Sequence, residues 1–395
     1  VDFGSVSTRV VLIDIVDGAY RLVARGQGRT TDVYPINDVS VGLDRVLRQV
    51  FDATGRRFLN DTGLVITPEQ PDRSGVDLFT MTASVGRPLR AVVIGLTPNV
   101  SVESALRAAS TNYIDVANII SLDDGRSEEE RMNAIVLTYP DVVFLTGGTE
   151  AGAQEGVLRL ARTAAFAVSL IDRQRRPAVI YSGNSHLDEQ IAALFDDLTT
   201  VLFAGNIRPD LREEKLDAAR LKLGEAFDQQ AGQRSRSFAM LSGASQTGAL
   251  PTPQGYGVLA DYLGQIGMGP LAIVDMGSSA TTLALYTEGE MRTGINPQIG
   301  LGHSAEALMD TVGIEAIRGW LPFNISQQDL RNYVANKTLR PASIPATVKD
   351  LYLEHAMLKA GIRHLLDEMI PGMRALPLNM VVGAGATLTG TGSAG

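Results

Sequence analysis

The chain opens with the stretch DFGSVSTRVVLIDI (2–15), in which an acidic residue and several small residues precede an apolar, β-branched strand. The acid is Asp2, and the small residues after it are Gly4, Ser5, Ser7 and Thr8. A turn of glycine and hydroxyl residues between two antiparallel strands exposes backbone N–H groups and Oγ donors to an anion without the steric cost of larger side chains. The stretch therefore predicts an anion-binding hairpin.

The same pattern returns in the stretch AIVDMGSSATTLAL (272–285). Asp275, Gly277, Ser278 and Thr281 match the Asp, Gly, Ser and Thr of the opening stretch at the same four offsets, and Ser279 and Thr282 add two further hydroxyls. Each hairpin is followed by a further alternating stretch and by apolar residues at helical spacing, over 42–55 in the first half and 304–313 in the second. This repetition predicts duplicated hairpin-strand-helix halves whose two hairpins clamp a nucleoside triphosphate from both sides.

The two acids have a separate predicted role, because a carboxylate repels phosphate. Mg²⁺ is characteristically held by one or two carboxylates together with substrate phosphates, and a carboxylate can also orient an attacking water. Asp2 and Asp275 are therefore the candidate metal ligands and catalytic residues, and the predicted ligand is ATP or ADP with Mg²⁺.

The middle of the chain has a different character, with short, wholly apolar runs that end in glycine or a polar turn. These runs lie at 90–96, 117–122, 141–148, 177–184 and 199–206, with helical patterns between them. Strands buried on both faces and separated by helices are typical of a parallel sheet. We therefore expect a first lobe over 1–89, an inserted parallel α/β subdomain over 90–228 and a second lobe over 229–395. A charged helix is predicted over 210–227 and a loop over 229–237.

Paired halves with acidic hairpins resemble the actin, hexokinase and heat-shock chaperone ATPase superfamily. The resemblance implies a two-lobed α/β fold and a third element, a glycine-rich turn near the C-terminus that holds the adenosine. The stretch MVVGAGATLTGTG (380–392), after a helix over 351–370 and a break at Pro371-Gly372, fits this element. The implied adenosine contacts are Gly383 and Gly385.

Within that superfamily, the whole chain resembles the glutamate mutase L family. The stretches that carry the likeness are DFGSVSTRVVLIDI, LVITPEQPDRSGVDLF (64–79), VVFLTGGTEAG (142–152), VIYSGN (179–184), GLGHSAEALM (300–309) and VVGAGATLTGTG near the end. The resemblance implies an ATP-binding, chaperone-like accessory or reactivating factor for a cobalamin-dependent mutase.

One position departs from the family pattern, because Thr282 stands where the second hairpin usually has another acid. A threonine hydroxyl is a weak base at neutral pH, so we expect ATP binding with slow hydrolysis. The missing acid also leaves open a non-catalytic actin-like scaffold or assembly protein, and more weakly a small-molecule kinase.

Composition excludes several other classes. The formal net charge of −9 opposes a nucleic-acid surface, and the absence of cysteine excludes disulfides and thiolate metal sites. The longest apolar runs, such as AAFAVSLI (164–171), are too short to span a bilayer, and no signal peptide is present, so we expect a soluble, cytoplasmic protein without a membrane partner. The abrupt start at Val1 and end at Gly395 suggest that further residues flank the sequence.

Three weaker motifs have structural explanations as well as functional ones. The stretch TGGTEAG (146–152) fits either an anion site at a helix N-terminus or a tight strand-to-helix turn. The stretch GAGATL (383–388) lacks the third glycine of a dinucleotide fingerprint. The four histidines show no metal-ligand spacing and no signature for the lower ligand of cobalamin; for His303, a turn position and an approach to the site both stay open.

Overall fold

The computed structural model describes residues 1–150, 152–370 and 376–389. The strands are β1 (Asp2–Phe3), β2 (Ser7–Val16), β3 (Ala19–Arg29), β4 (Met81–Ala83), β5 (Leu89–Gly95), β6 (Ile114–Ser121), β7 (Val142–Leu145), β8 (Ala178–Tyr181), β9 (Val201–Phe203), β10 (Ala249–Pro251), β11 (Leu271–Met276), β12 (Thr281–Thr287), β13 (Glu290–Asn296) and β14 (Met380–Ala384). The helices are α1 (Val39–Thr54), α2 (Glu103–Ala109), α3 (Glu128–Thr138), α4 (Glu155–Leu170), α5 (Asp188–Phe195), α6 (Asp217–Arg234), α7 (Arg236–Ala244), α8 (Thr252–Leu263), α9 (Ala305–Val312), α10 (Ile314–Arg318), α11 (Gln327–Leu339), α12 (Val348–Met369) and α13 (Ala386–Thr389). The protein is a mixed α/β protein with parallel sheets.

Two compact units are formed by the described residues. One takes its residues from Val1–Gly86 and Asp228–Gly395, and the other comprises Arg87–Phe227. The boundary between them falls inside α6. Each unit has its own sheets and its own core.

The first sheet of the discontinuous unit has the strand order β10-β4-β1-β2-β3. Strand β1 is antiparallel to β2 and parallel to β4, and β4 is parallel to β10. Alternate residues of β2 are buried, and α1 covers the neighbouring β3 with Val46 and Val50. Gly26 of β3 allows this approach, because a Cβ there would lie 2.7 Å from the Val46 carbonyl oxygen.

The second sheet of this unit has the order β13-β12-β11-β14. Here β11 is antiparallel to β12 and parallel to β14, while β12 is antiparallel to β13. The spatial order β3-β2-β1-β4 in the first sheet has the same strand directions as β13-β12-β11-β14 in the second. The two sheets therefore share one arrangement. In each, the first strand (β1 or β11) is antiparallel to the second strand on one side and parallel to a later strand (β4 or β14) on the other. A third strand (β3 or β13) is antiparallel to the second.

The continuous unit contains a wholly parallel sheet with the order β6-β5-β7-β8-β9. This confirms the parallel sheet predicted from the apolar runs, whose side chains form a core with helices α3, α4 and α5. Helix α3 begins with the predicted capping box between Ser127 and Glu130.

Two glycines in the stretch TGGTEAG allow the backbone to pack closely against neighbouring residues. Gly147 has φ of 135°, and a Cβ there would lie 2.8 Å from the Cβ of Leu96. Gly148 has φ of 74°, and a Cβ there would lie 2.6 Å from the Ala153 carbonyl oxygen. Ala151 lies outside the described residues, and helix α4 begins only at Glu155.

Two secondary-structure predictions are wrong. The charged helix predicted over 210–227 begins only at Asp217, and Asp210 and Glu213 form an isolated bridge before it. The segment 229–237 is not a loop, because α6 extends to Arg234 and α7 begins at Arg236. The Ser235 hydroxyl accepts a hydrogen bond from the Phe238 backbone N–H and so caps α7, and the Phe238 ring is buried 6.1 Å from that of Phe3. The predicted break at Pro371-Gly372 and the end of the glycine-rich stretch, 390–392, lie outside the described residues. Among the helices of the described ranges, none has the length and apolar character needed to cross a bilayer.

Candidate functional site

The two predicted hairpins have the same register. Asp2 lies opposite Arg9 in the first, and Asp275 lies opposite Thr282 in the second. Each turn is closed by the N–H of its glycine, which donates to the carbonyl oxygen three residues later, from Gly4 at 3.0 Å and from Gly277 at 2.9 Å. The matching offsets in the sequence therefore correspond to matching positions in the two turns.

Asp2 is held by three side chains from different elements. Arg9 donates to its Oδ2 at 3.3 Å, Thr82 donates to its Oδ1 at 2.9 Å, and Thr252 donates to the same Oδ1 at 3.3 Å. Thr82 is on the neighbouring parallel strand and Thr252 begins α8. The carboxylate is thus fixed at the point where β1, β4 and α8 meet.

Asp275 has a different environment, because its side chain receives no hydrogen bond from any described residue. Burial, and after it the charge of Asp2, together raise the pKa of Asp275 to about 7, although Arg9 opposes both. Charges act on each other in this way only over short distances in protein. The structure therefore brings the two predicted acids, 273 positions apart in the chain, into one electrostatic site.

Helix α8 contributes a further group to this site. Burial raises the pKa of the Tyr256 hydroxyl, and Asp275 and then Asp2 raise it more. The Tyr256 side chain packs against the core cluster that includes Ile273 and Ala284 of the second sheet. Tyr256 is therefore neutral at physiological pH and lies in the field of both carboxylates.

The glycine-rich turn lies beside Asp275. Strand β14 is parallel to β11 with Ala384 opposite Asp275, and Gly385 follows with φ of 94°. A Cβ on Gly385 would lie 2.3 Å from the Met276 carbonyl oxygen and 3.3 Å from Asp275 Oδ1. Gly383 is less constrained, since its nearest neighbour would be Leu388 at 3.4 Å.

A buried ion pair contacts the helix that follows this turn. Lys337 on α11 and Glu354 on α12 form a salt bridge in which both side chains are nearly inaccessible, with exposures of 7% and 3%. The Thr387 hydroxyl on α13 donates to Glu354 Oε2 at 2.8 Å. The pair therefore connects α11, α12 and the helix that follows Gly385.

The predicted hydroxyl ligands divide into two groups. Ser5 and Ser7 are partly exposed, and their side chains make no hydrogen bond to the described residues. Thr8 and Thr281 are completely buried. The Thr281 hydroxyl donates to the Ile299 carbonyl oxygen at 2.8 Å, and the Thr8 hydroxyl lies 3.0 Å from that of Thr30, so both hold the turns from inside the fold.

The second hairpin carries a histidine that the sequence left undecided. Nδ1 of His303 lies 3.1 Å from Ser278 Oγ and 3.4 Å from Ser279 Oγ. Two glycines before His303 allow this contact, because a Cβ on Gly300 or Gly302 would lie within 2.4 Å of atoms of Ser278. The segment 300–303 therefore lies directly on the turn.

Sequence reasoning missed Thr252 and Tyr256 and did not single out Arg9. Arg9 had a signal, because it has the same offset from Asp2 as Thr282 has from Asp275. The segment around Tyr256 has no recognisable motif. Its place in the site depends on the parallel pairing of β10 with β4.

Fold and site together define a mixed α/β protein with two acidic hairpins in one register and a glycine-rich turn beside the second. The chain belongs to the MutL protein family, the glutamate mutase L family, whose model matches residues 1–366. It is similar to Protein MutL of Clostridium tetanomorphum, with 22% identity over 385 residues that cover 91% of this chain and 76% of that protein. The family predicted from the sequence is confirmed.

Solved structures of other proteins show weaker similarity. A nucleotide-free acetone carboxylase is 13% identical with a TM-score of 0.38, covering 94% of this chain and 62% of that chain. An ATP-dependent caprolactamase from Pseudomonas jessenii is 14% identical with a TM-score of 0.32, covering 98% of this chain and 66% of that chain. The chain thus spans less than two thirds of either protein, and the fold assignment rests on the strand order described above.

Proposed function

We propose that the chain is an ATP-binding protein of the actin-like class that serves as an accessory, reactivating factor for a cobalamin-dependent mutase. In this proposal the predicted segments 1–89 and 229–395 are the two nucleotide-binding lobes, and 90–228 is an inserted subdomain. The nucleotide phosphates lie between the two hairpins, and the adenosine lies against the turn at Gly383 and Gly385.

The observation that carries the proposal is the pair of acidic hairpins in one register, whose acids Asp2 and Asp275 also act on each other electrostatically. Two carboxylates in one partly buried site destabilise each other unless a cation is shared between them. Their strands bear turns in the same register, each with an N–H group and hydroxyls next to the acid. This combination suits a ligand made of a divalent cation and phosphate groups.

The two carboxylates suit Mg²⁺ that is bound together with phosphate better than a cation that is coordinated by protein groups alone. Within the described ranges, no cluster of three or more His, Cys, Asp or Glu side chains is placed to hold a metal. Two carboxylates would therefore need phosphate oxygens and waters to complete the coordination, which is the usual habit of Mg²⁺. When bound, the cation supplies neutralisation of the charge on the phosphate groups.

The protein groups have separable roles in this proposal. Asp2 and Asp275 hold the cation, and Arg9 adds positive charge at the first hairpin. The turn residues that face the phosphates are Gly4, Ser5, Ser7, Gly277, Ser278 and Ser279. Thr8 and Thr281 stabilise the turns from behind.

Thr282 limits hydrolysis in this proposal. It lies opposite Asp275, is 3% exposed, and offers a hydroxyl where a carboxylate would activate water. General-base groups typically contribute about 10²–10⁴-fold to a rate. The protein therefore binds ATP but hydrolyses it slowly, and the nucleotide acts mainly by favouring one conformation of the protein.

The partner in this proposal follows from the family name, which connects the chain with a glutamate mutase. A protein that changes conformation with bound nucleotide can act on an enzyme that loses activity when its cofactor is damaged. The expected activity is restoration of an inactivated cobalamin-dependent mutase in the presence of ATP and Mg²⁺.

Isothermal titration calorimetry of the full chain with ADP or ATP tests the proposal. We expect binding that requires Mg²⁺ and that is weakened by Asp275→Asn. Asp310→Asn, which alters an exposed aspartate of α9, is the matched control and should bind as the wild type does. Absence of nucleotide binding by the wild type would refute the proposal.

A second candidate function is a non-catalytic, actin-like scaffold, which the missing acid at Thr282 favours. The two functions differ in their effect on a mutase. A scaffold binds nucleotide but does not restore the activity of an inactivated mutase, whereas a reactivating factor does so in proportion to the nucleotide it binds.

A further inference from the structure

The two hairpins differ in the charge that faces each acid. Arg9 lies opposite Asp2, whereas the equivalent residue opposite Asp275 is the neutral Thr282. The second hairpin therefore receives no positive charge from its own pair of strands. Its turn instead lies against His303, a residue that can gain a charge near neutral pH.

The hydrogen bonds of Ser278 determine what its hydroxyl can do. Oγ accepts a hydrogen bond from the His303 backbone N–H at 3.0 Å and lies 3.1 Å from His303 Nδ1. A hydroxyl has one hydrogen to donate. If Nδ1 carries no proton, Ser278 donates that hydrogen to the ring; if Nδ1 is protonated, the ring donates to Oγ and the hydroxyl hydrogen becomes available to another acceptor.

The equivalent residue of the first hairpin has no such constraint. Ser5 has the same offset from its acid as Ser278 has, and its hydroxyl makes no hydrogen bond to the described residues. Among the described residues, a titratable ring therefore competes for the hydroxyl hydrogen at the second hairpin and not at the first.

Asp32 supplies the negative charge that faces His303. It follows β3, in the other half of the unit, and its Oδ2 accepts a hydrogen bond from the Gly86 N–H at 3.2 Å. Its Oδ1 is buried without a hydrogen-bond partner among the described residues. Asp32 is also the charged side chain whose field acts on the His303 ring, and it favours the protonated form.

We propose that His303 is a positioning residue of the second hairpin: when protonated and faced by Asp32, its ring releases the Ser278 hydroxyl to donate to a phosphate oxygen and supplies positive charge beside the turn. This inference rests on the proposed nucleotide function and adds to it a proton-dependent control of one hairpin.

The direction of the pH effect follows from the pKa of His303 before nucleotide binds. Burial lowers the pKa of His303, and Asp32 opposes that effect, so the ring is mainly neutral at neutral pH. A phosphate dianion next to the ring stabilises the imidazolium and raises its pKa. Nucleotide binding therefore takes up a proton at His303, and this contribution to affinity grows as the pH falls, by at most about tenfold per pH unit.

The test compares the wild type with His303→Asn by calorimetric titration with Mg-ADP from pH 6 to pH 8. The nucleotide and Asp275 titrate in both proteins, so the ratio of the two affinities isolates the histidine. We expect the wild type to exceed the variant by a factor that rises by about threefold to tenfold between pH 8 and pH 6. His364→Asn is the control, because His364 is on α12 beside Glu368, and its affinity ratio to the wild type should not vary with pH.

A second measurement uses the wild-type protein alone. The chain has four histidines, so the ring resonance of His303 is identified by its absence from the His303→Asn spectrum. Its titration midpoint should rise when Mg-ADP is added, and Asp32→Asn should lower the midpoint in the free protein.

The outcomes distinguish a failure of this inference from a failure of the proposed nucleotide-binding function. Nucleotide binding with a pH-independent affinity ratio, or a His303 midpoint that Mg-ADP does not move, overturns the inference and leaves the proposed function standing. No binding by the wild type at any pH refutes both.

Discussion

Replacing Asp275 with asparagine should stabilise the metal-free protein above pH 7 while weakening its binding of Mg-nucleotide. The folded protein raises the pKa of Asp275 from its ordinary value of 3.8 to about 7, through burial and the nearby charge of Asp2. Below about pH 4 the group is protonated in both the folded and the unfolded protein. Between about pH 4 and pH 7 the folded protein keeps a proton that the unfolded chain releases, so the free energy of unfolding decreases as the pH rises.

The size of this effect follows from the shift. Each pKa unit corresponds to about 1.4 kcal/mol, so the full loss between pH 4 and pH 7 is at most about 4 kcal/mol. Asparagine has a similar shape and does not titrate. The difference in unfolding free energy between Asp275→Asn and the wild type should therefore grow by about 2–3 kcal/mol between pH 5 and pH 8.

Urea-induced unfolding in the presence of a chelator, at pH 5, 6, 7 and 8, measures this difference. Asp310→Asn should show a difference from the wild type that does not change across the same range, since Asp310 is an exposed side chain. When Mg²⁺ and ADP are added at about 100 times the dissociation constant, the wild type should gain about 2.7 kcal/mol and Asp275→Asn much less. A difference in unfolding free energy between Asp275→Asn and the wild type that stays constant from pH 5 to pH 8 would show that the fold does not raise the pKa of Asp275.

Three further substitutions test the parts around Asp275. Thr282→Asp places a carboxylate opposite Asp275 and should raise steady-state phosphate release from ATP by about 10²-fold or more; normal ATP binding without faster release would contradict the role given to this position. Gly385→Ala should weaken nucleotide binding by about tenfold or more, because a Cβ would lie 2.3 Å from a backbone oxygen, whereas a Cβ on Gly243 of α7 would meet nothing within 4 Å, so Gly243→Ala should bind normally; equal affinities of the two variants in calorimetry would exclude the Gly385 turn from the nucleotide site. Glu354→Gln leaves Lys337 buried without its counter-charge and should lower the free energy of unfolding in urea by about 3–5 kcal/mol; a change under about 1 kcal/mol would show that the pair is not structural.

The hairpins could be predicted because their chemistry is local. The spacing of Asp, Gly, Ser and Thr within seven residues fixes both the turn and the residue opposite the acid, so Asp2 and Asp275 could be placed at equivalent hairpin positions without any tertiary information. The parallel sheet of the continuous unit was also predictable. Its strands are short apolar runs that end in glycine, and such runs form strands only where both faces are covered.

The contacts that complete the site were not predictable, because they depend on long-range pairing. Thr252 reaches Asp2 only because β10 pairs with β4, and Asp32 faces His303 although the two are 271 positions apart. The wrong loop at 229–237 has a related cause. Its glycine and serines indicate a loop by composition, but Ser235 caps a helix and the burial of Phe238 holds that helix in place.

The difference between the halves sets a requirement on the ligand. The residues that build the turns repeat, since Gly4 matches Gly277 and the buried Thr8 matches the buried Thr281. The residues that face the acids do not repeat, so the ionised site has two carboxylates and one guanidinium, a net charge of −1. A phosphate group is repelled by such a site. A divalent cation changes the net charge to +1, and phosphate is then attracted. The nucleotide and the cation should therefore bind as one unit, and nucleotide titrated into the chelator-treated protein should give no measurable binding until the cation is restored.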